Sequence, residues 1–152
     1  MSKITIERVD LSNYYKYEDM VYWRTHGVER TRPESDSSTY LVSDYVKSQI
    51  EHPGFYVYVA KAEDRFIGWI HFMYTPKIGK WKGGVLYIDE LWVAPEYRRT
   101  GVATKLMKLA TELKCKTGAS VVRLGTSNPH AQKLYEKSGL QATGYTVFME
   151  SN

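Results

Sequence analysis

The chain has 152 residues, of which 43% are apolar and 25% are charged, and its formal net charge at pH 7 is +4. This composition is typical of a globular protein with a core of its own, and the length predicts a single domain spanning residues 1–152. It argues against a membrane protein, because no apolar stretch approaches the roughly 20 residues that a membrane span needs. Cys115 is the only cysteine, which excludes an internal disulfide, and no signal-peptide core follows Met1, so we expect a cytoplasmic protein.

The positive charge gives no clear sign of nucleic-acid binding. Lysines and arginines are scattered along the chain, whereas nucleic-acid-binding segments carry them in blocks. A polyanionic cofactor is the more economical explanation for the adjacent pair Arg98-Arg99. We therefore expect no nucleic-acid partner, and salt-dependent DNA binding is the observation that would favour that alternative.

The beginning of the chain predicts a strand and a helix. Residues 3–9 alternate apolar and polar side chains, which is typical of a strand. Residues 12–26 offer an apolar side at helical spacing. Ser12 or Asn13 can cap this helix and Gly27 can end it.

A second helix is predicted over about residues 38–51, after a polar loop over residues 28–38. A run of histidine, proline and glycine at 52–54 ends this helix. The apolar residues that we expect to face inward are Leu41, Tyr45 and Ile50.

Three strands are predicted in the middle of the chain. Residues 55–60 and 66–74 are rich in β-branched and aromatic side chains and are joined by a turn at 63–64. Residues 75–83 form a long hairpin connection. Residues 84–93 are mostly apolar, which predicts a strand with two buried faces.

A short basic loop and a helix follow the third of these strands. The helix spans about residues 101–117, and its apolar face carries Val102, Leu106, Leu109 and Leu113. A helix start exposes unpaired N–H groups at the positive end of the helix dipole. A phosphate group is therefore the natural ligand of this loop, and Gly101 lets the backbone approach it.

The last part of the chain predicts a short buried strand over 121–124 and a helix from Asn128 to Gly139. One or two strands are expected between Leu140 and Met149. The whole order predicts a mixed α/β (α+β) fold with a mostly antiparallel sheet, one parallel crossover and helices on both faces.

Two motifs in this order resemble the GNAT superfamily of acetyl-CoA-dependent N-acetyltransferases. The segment 98–103 matches the pattern (Q/R)-x-x-G-x-(G/A), and about 25 residues later the chain reads Asn-Pro-x-Ala-x-x-Leu-Tyr-x-x-x-Gly over 128–139. Neither a Walker loop nor a dinucleotide-binding glycine pattern is present. The resemblance implies direct transfer of an acetyl group from acetyl-CoA to a primary amine, without a metal or a covalent enzyme intermediate.

The resemblance also implies which residues bind the cofactor, chiefly through backbone N–H groups around the diphosphate. The alternative is an ordinary solvated helix start, which two neighbouring arginines make unfavourable. Asn128 can also serve simply as a helix cap. The residues implied for cofactor binding are Leu91, Trp92, Val93, Arg98, Arg99, Thr100, Gly101, Val102, Ala103, Thr104, Asn128, Ala131 and Tyr135.

Tyr135 matches the tyrosine that protonates the leaving CoA thiolate in many members of the family. An ordinary tyrosine has a pKa of about 10, above the roughly 8.5 of a thiol, so it can supply that proton. Without the motif, the default interpretation is an aromatic residue packed in the core. We predict that Tyr135 acts as the general acid.

Asp89 and Glu90 are the candidate base, because a buried carboxylate has a raised pKa and can accept a proton. Neighbouring residues of a strand point to opposite faces, so we expect one of the two to face the substrate. Asp89 matches an acid of the polyamine-type members. Protein-lysine acetyltransferases carry a glutamate where this chain has Tyr87. Asp89, Glu90 and a chain of waters stay open as the base, and a structural salt bridge is the alternative.

The acceptor is predicted to be a small cationic amine such as a polyamine, an aminoglycoside or an amino acid derivative. A protein lysine or N-terminus, and a non-catalytic acyl-CoA-binding module, are the alternatives, and a homodimer through the C-terminal strands is left open. We expect no metal, since the histidines are spread out and His71 fits an interior position. The acceptor is expected to contact the segments 22–40 and 75–83 through Tyr22, Trp23, His26, Glu29, Glu34, Asp36, Tyr40 and Trp81.

Overall fold

The computed structural model describes residues 3–33, 42–79 and 82–152. Most predicted elements are present, with bounds that shift by a few residues. In chain order they are β1 Ile4–Arg8, α1 Tyr14–His26, α2 Asp44–Ile50, β2 Phe55–Ala62, β3 Arg65–Thr75, β4 Val85–Val93, a short 3-10 turn Pro95–Tyr97, α3 Val102–Met107, α4 Leu109–Thr117, β5 Val121–Arg123 and α5 Pro129–Lys137.

The five strands form one sheet in the order β1-β2-β3-β4-β5. The first four strands pair in antiparallel fashion, and β4 pairs with β5 in parallel. That parallel ladder runs only from Val85–Val121 to Tyr87–Arg123. From Ile88 onward the two strands are no longer paired, so the β5 side of β4 is open toward its C-terminal end.

The two faces of the sheet bury separate clusters of side chains, which confirms the prediction of helices on both faces. On one face, Leu106 of α3 packs with Phe72 and Leu86 of the sheet. On the other face, Met20 of α1 packs with Trp69. The sheet therefore lies between α1 and the pair α3–α4, and the carboxyl end of β4 emerges where α3 begins.

The pairing of β3 with β4 contains an irregularity at the two acidic residues. His71 lies opposite Glu90 and Phe72 lies opposite Ile88, so Asp89 is an extra residue on β4. Such a β-bulge breaks the alternation of side chains along a strand. The prediction that Asp89 and Glu90 point to opposite faces is wrong, because the bulge lets both of them contact residues on the α1 side of the sheet.

The second helix is shorter than predicted, and a different set of its side chains faces inward. Ser43 caps it by accepting a hydrogen bond from the backbone N–H of Val46, and the helix begins at Asp44. Val46 and Ile50 are partly buried and lie four residues apart, so they form its inner side. Tyr45 is 72% exposed, and its predicted inward orientation is wrong. Leu41 lies outside the described residues.

The strands predicted between Leu140 and Met149 are not formed. Residues 140–152 contain no helix or strand, and β5 is only partly buried rather than buried as predicted. The backbone N–H of Leu140 bonds to the carbonyl oxygen of Tyr135 and closes α5. A strand needs a paired neighbour, and beyond Leu140 no backbone hydrogen bond joins this segment to another described residue.

Candidate active site

The segment that follows β4 folds back onto the end of that strand. The Nε of Arg98 donates a hydrogen bond to the carbonyl oxygen of Val93 at 3.0 Å. The hydroxyl of Thr100 donates to the carbonyl oxygen of Tyr97. These two bonds fix the first half of the loop, up to Thr100. The second half, at Gly101, is therefore held beside the end of β4.

Two residues of this loop have left-handed backbone angles. φ is +61° at Arg99 and +89° at Gly101. A residue with a side chain adopts such an angle at a cost of about 1–2 kcal/mol, and backbone strain of this kind is concentrated at functional sites. Among the described residues, none beyond the immediate neighbours comes within 4 Å of where a side chain at Gly101 would begin. The backbone angle, and not crowding, therefore requires glycine there.

The helix after the loop begins without a side-chain cap. Gly101 is its N-cap residue, and the first hydrogen bond of the helix runs from the N–H of Lys105 to the carbonyl oxygen of Gly101. The three preceding N–H groups thus have no partner within the helix. Lys108 keeps helical angles and bonds to Thr104 at 3.2 Å, so α3 continues into α4 and the helix predicted over 101–117 is confirmed with one irregularity.

A cleft of about 440 Å³ opens between this loop and α5. Four cationic side chains line it, and no carboxylate is among the described residues of its lining. Free N–H groups, a positive helix end and several cations together favour a ligand with more than one phosphate. The lining residues are Val93, Tyr97, Arg98, Arg99, Gly101, Ala103, Thr104, His130, Lys133, Leu134 and Lys137.

Tyr135 lies on α5, on the helix side next to the one that lines the cleft. Its ring is half-buried and packs against the main core cluster. Burial raises the pKa of Tyr135 above its ordinary value of about 10. The hydroxyl therefore keeps its proton at neutral pH, which is the state that a general acid needs.

The two acidic residues of β4 have different partners. The Nη1 of Arg24, on α1, lies 2.6 Å from the Oε2 of Glu90, so this carboxylate is neutralised by a cation of the protein itself. Asp89 instead lies beside His71, with 3.3 Å between Oδ2 and Nδ1. The side chains of Asp89 and Glu90 are 58% and 41% exposed, so the expectation of a buried carboxylate at these positions is wrong. A structural salt bridge, the alternative raised from the sequence, therefore holds for Glu90.

His71 is the neighbour that decides the charge around Asp89. Burial lowers the pKa of His71 below its ordinary value, and the nearby carboxylates of Asp89 and Glu90 offset part of that shift. Its ring packs against Phe55, with 4.7 Å between the ring centres, and its buried Nε2 has no hydrogen-bond partner among the described residues. Asp89 thus contacts an imidazole whose pKa is lowered, whereas Glu90 contacts an arginine.

Aromatic rings line the α1 side of the sheet beside these carboxylates. Trp69 and Trp92 lie 5.0 Å apart between ring centres, and Tyr17 of α1 meets Trp69 edge-on at 5.5 Å. The guanidinium of Arg24 lies 5.6 Å above the ring of Trp69. The guanidinium of Arg24 thus lies between the carboxylate of Glu90 and the ring of Trp69. Contacts with a carboxylate and an aromatic ring are also those that a cationic substrate requires.

Comparison with known proteins assigns the fold and these motifs to a family. A model of the acetyltransferase (GNAT) family matches residues 18–140, which is most of the chain. The chain belongs to the acetyltransferase (GNAT) family. The resemblance deduced from the two motifs is thereby confirmed.

The curated relatives of this GNAT-family protein match it over part of their length. Bovine thialysine N-epsilon-acetyltransferase is 34% identical over 71 residues, which are 45% of this chain and 42% of that protein. The mouse protein of the same name is 33% identical over 76 residues, covering 49% of this chain and 42% of its own length. The aligned stretch thus spans less than half of each relative.

Solved structures share the fold across the whole chain at low identity. An aminoglycoside acetyltransferase from an uncultured soil sample, in complex with sisomicin, has a TM-score of 0.75 at 17% identity and covers 98% of this chain and 95% of its own. The aminoglycoside acetyltransferase AAC(6')-Iy, in complex with a CoA-based bisubstrate analogue, has a TM-score of 0.72 at 16% identity and covers 99% of both chains. At these identities the likeness shows the fold alone.

Within this GNAT fold, six of the residues predicted to bind the cofactor line the cleft, namely Val93, Arg98, Arg99, Gly101, Ala103 and Thr104. The side chain of Val102 is buried in the core, so only its backbone faces the loop. Asn128 caps α5, as predicted, by accepting a hydrogen bond from the N–H of His130 at 3.0 Å. Leu91, Trp92, Thr100, Ala131 and Tyr135 lie outside the cleft lining.

Five further lining residues were not predicted from the sequence, namely Tyr97, His130, Lys133, Leu134 and Lys137. The last four recur at the three- and four-residue spacing of one helix face, which is the signal that could have identified them. Because this face carries two lysines toward the arginines of the loop, the cleft is cationic on both sides.

Several of the residues expected around the acceptor make contacts within the protein instead. Trp23 is buried in the core, and Arg30 lies 4.7 Å above the ring of Tyr22. Glu29 is paired with Arg65 at 2.9 Å. The remaining predicted acceptor residues that lie outside the described parts of the chain are Glu34, Asp36, Tyr40 and Trp81.

The described residues were also compared with the requirements of a metal site and of a membrane-spanning helix. They contain no group of three or more His, Cys, Asp or Glu side chains arranged to hold a metal ion. None of their helices combines the length and apolar content required to cross a membrane.

Proposed function

We propose that this GNAT-family protein, acting as one domain over residues 1–152, transfers an acetyl group from acetyl-CoA to a primary amine of a small cationic molecule. The observation that carries the proposal is the arrangement of opposite charges along β4. The cationic cleft lies at the end of the strand at Val93, and the exposed carboxylate of Asp89 lies four residues before it. At about 3.3 Å per residue this separation is roughly 13 Å, which an extended pantetheine arm can cover.

The cleft suits the phosphate end of the cofactor. The N–H groups at the start of α3 and the cations Arg99, Lys133 and Lys137 offer donors and positive charge without an opposing carboxylate in the described lining. Arg98 is tied to the carbonyl oxygen of Val93, so it acts by fixing the loop as well as by its charge. We assign the diphosphate and the ribose phosphate of acetyl-CoA to this cleft.

The open side of β4 suits the pantetheine arm. Past Tyr87 the strand has no β5 residue paired to it, so backbone groups of residues 88–93 face the gap between the two strands. Pantetheine carries two amide groups, and an extended ligand can bind such an edge as an added strand does. The thioester would then lie near the bulge, with a backbone N–H of β4 polarising its carbonyl group.

The chemical step needs one proton acceptor and one proton donor. The acceptor amine binds as an ammonium ion beside Asp89, loses a proton to that carboxylate directly or through water, and attacks the thioester carbonyl. The carbon–sulfur bond then breaks, and the hydroxyl of Tyr135 gives its proton to the departing thiolate. The attacking nitrogen loses its second proton through water, and that proton restores the hydroxyl of Tyr135. Holding both substrates in line supplies much of the rate.

The acceptor class follows from the charge and the rings near the bulge. Asp89 contacts His71 and has no arginine beside it in the described residues, whereas Arg24 pairs with Glu90. The ring of Trp92, which is only partly buried, offers a face that attracts a cation, while Trp69 is buried beneath it. The names of the relatives, thialysine and aminoglycoside acetyltransferases, support an amine of this kind.

The experiment that tests the proposal measures thiol release from acetyl-CoA with a panel of amines. The panel contains spermidine, an aminoglycoside, thialysine and a lysine-containing peptide, and a matched alcohol serves as the control. We expect turnover with at least one small cationic amine. Turnover with the peptide alone would replace the acceptor class by a protein side chain. Binding of acetyl-CoA without turnover on any amine would favour a non-catalytic module.

A further inference from the structure

The carboxylate of Asp89 lies beside a histidine of the neighbouring strand. The Nδ1 of His71, on β3, is 3.3 Å from the Oδ2 of Asp89. His71 lies opposite Glu90 in the pairing of the two strands, and the register shifts immediately after it. The contact therefore joins the extra residue of the β-bulge to a regularly paired residue of β3, and bulges are frequently the means by which a strand turns a side chain toward an active site.

The ring of His71 is held firmly by its surroundings. β3 pairs with β2 on one side and with β4 on the other, so its backbone is fixed from both directions. The side chain is mostly buried, and its ring packs against Phe55 of β2. Asp89, in contrast, is more than half exposed. A mobile carboxylate thus contacts a ring that has little freedom to move.

The contact determines which ring nitrogen of His71 carries the proton. An ionised carboxylate only accepts hydrogen bonds, so the nitrogen that faces Asp89 must be the protonated one. The other nitrogen, Nε2, is then an acceptor. It is buried and has no hydrogen-bond partner among the described residues, and proteins tolerate a buried acceptor without a partner more often than a buried donor. Both nitrogens therefore favour the same tautomer, with the proton on Nδ1.

We propose that His71 is a positioning residue of the acceptor site, whose Nδ1–H donates to the Oδ2 of Asp89 and holds that carboxylate toward the acceptor amine. The inference rests on the proposed function, since it deepens the role that Asp89 has there. The second oxygen of Asp89 stays available for the ammonium ion. The distance of 3.3 Å is long for a hydrogen bond, and hydrogen bonds of active sites often shorten when the substrate binds.

Two substitutions separate the ring of His71 from its hydrogen-bond donor. His71→Phe keeps an aromatic ring against Phe55 and removes the donor. His71→Asn removes the ring and keeps a donor, because its amide nitrogen is bonded to Cγ as Nδ1 is. A residue that only fills space should tolerate phenylalanine better, whereas a residue that holds Asp89 should tolerate asparagine better.

Steady-state kinetics of these variants test the proposal, with acetyl-CoA and the amine of the panel that is turned over fastest. We expect His71→Phe to lower kcat/KM for the amine by about tenfold or more, as for the loss of one hydrogen bond to a charged group. Its affinity for CoA should not change, because the cationic cleft lies at the other end of the strand segment. His71→Asn should recover most of kcat/KM, even though urea unfolding shows it to be the less stable of the two variants.

The opposite order, with an active His71→Phe and an impaired His71→Asn, would overturn the proposal, and so would equal kcat/KM in both variants and the wild type. Asp89→Asn in the same assay tells the two levels apart. A slow Asp89→Asn beside a fully active His71→Phe would refute the positioning role alone. A fully active Asp89→Asn would refute both this role and the base of the proposed function.

Nitrogen NMR of isotope-labelled histidine reports on the contact without any turnover. At about pH 8, above the pKa of an ordinary histidine, we expect a protonated Nδ1 and a bare Nε2 for His71, whose signals are identified by their loss in His71→Phe. Asp89→Ala should shift the Nδ1 signal and weaken this preference. A ring protonated on Nε2, or one that does not respond to Asp89→Ala, would overturn the proposal. Absence of turnover with every amine would refute the proposed function, while the spectra would still decide whether His71 donates to Asp89.

Discussion

Gly101→Glu is the substitution that most sharply separates a cofactor loop from an ordinary helix start. Gly101 lines the cationic cleft, has φ of +89°, and has open space where a side chain would begin. The new carboxylate would therefore meet no obstruction from the described part of the protein, and it would stand where we assign the diphosphate.

Two effects of this substitution can be estimated. The left-handed angle costs about 1–2 kcal/mol of folding stability for any residue with a side chain. One added negative charge about 5 Å from one phosphate charge raises the binding free energy by about 3 kcal/mol at an effective dielectric constant of about 20. That energy corresponds to a loss of affinity for CoA of roughly a hundredfold or more, and it is larger for a doubly charged diphosphate.

Gly118→Glu is the matched control. Gly118 also has a left-handed angle, with φ of +75°, and open space around it, but it ends α4 far along the same helix and does not line the cleft. Urea unfolding should show a similar loss of stability in both variants, while titration with CoA should show weak binding only for Gly101→Glu. Equal affinity of the two folded variants for CoA would refute the assignment of the loop.

The remaining predictions concern the chemical step and its surroundings. Tyr135→Phe should bind CoA as the wild type does while kcat falls by about 10²- to 10⁴-fold, and full activity in a thiol-release assay would exclude the general-acid role. Asp89→Asn should raise KM for the cationic amine by about tenfold or more, whereas Glu90→Gln should have a smaller effect because Arg24 already neutralises that carboxylate; the reverse order would contradict the assignment. Because burial lowers the pKa of His71 in the native state, the unfolded chain binds that proton more readily, so the free energy of unfolding should fall as the pH drops below about 6.5. Urea unfolding at a series of pH values should show a shallower fall for His71→Gln, and identical slopes would mean that His71 does not contribute.

The strand, the basic loop and the helix around residues 84–117 could be predicted from the sequence because their signals are local. A continuous apolar run predicts the strand, although the structure buries both faces only in its first half. The spacing of Val102, Leu106 and Leu113 predicts which helix face packs on the sheet. The loop between them is recognised by its glycine, and the structure gives that glycine the left-handed angle that explains it.

The orientation of Asp89 and Glu90 could not be predicted, because it depends on pairing between strands. Alternation along β4 alone puts the two side chains on opposite faces, and one extra residue opposite His71 changes this. The partners that distinguish the two acids, Arg24 and His71, are 66 and 18 residues away in the sequence. Such long-range contacts leave no trace in the local pattern of the strand.

The end of the chain shows a second reason why a prediction from the sequence can fail. The alternation around Val147 predicts a strand that the structure does not form, because a strand exists only when a neighbour supplies hydrogen bonds. Tyr45 was misassigned for a simpler reason: the helix begins at Asp44, and Val46 and Ile50 then define its inner side.

Calorimetric titration of the purified protein with acetyl-CoA, followed by CoA, tests the central claim most directly. The cationic cleft beside β4 predicts binding of one acetyl-CoA per chain in the micromolar range, weakened by added salt because phosphate contacts to arginine and lysine are screened. A sample that is folded by circular dichroism and gives no binding heat at any temperature tried would contradict the account. The loop at Arg98–Thr104 would then be an ordinary start of a helix.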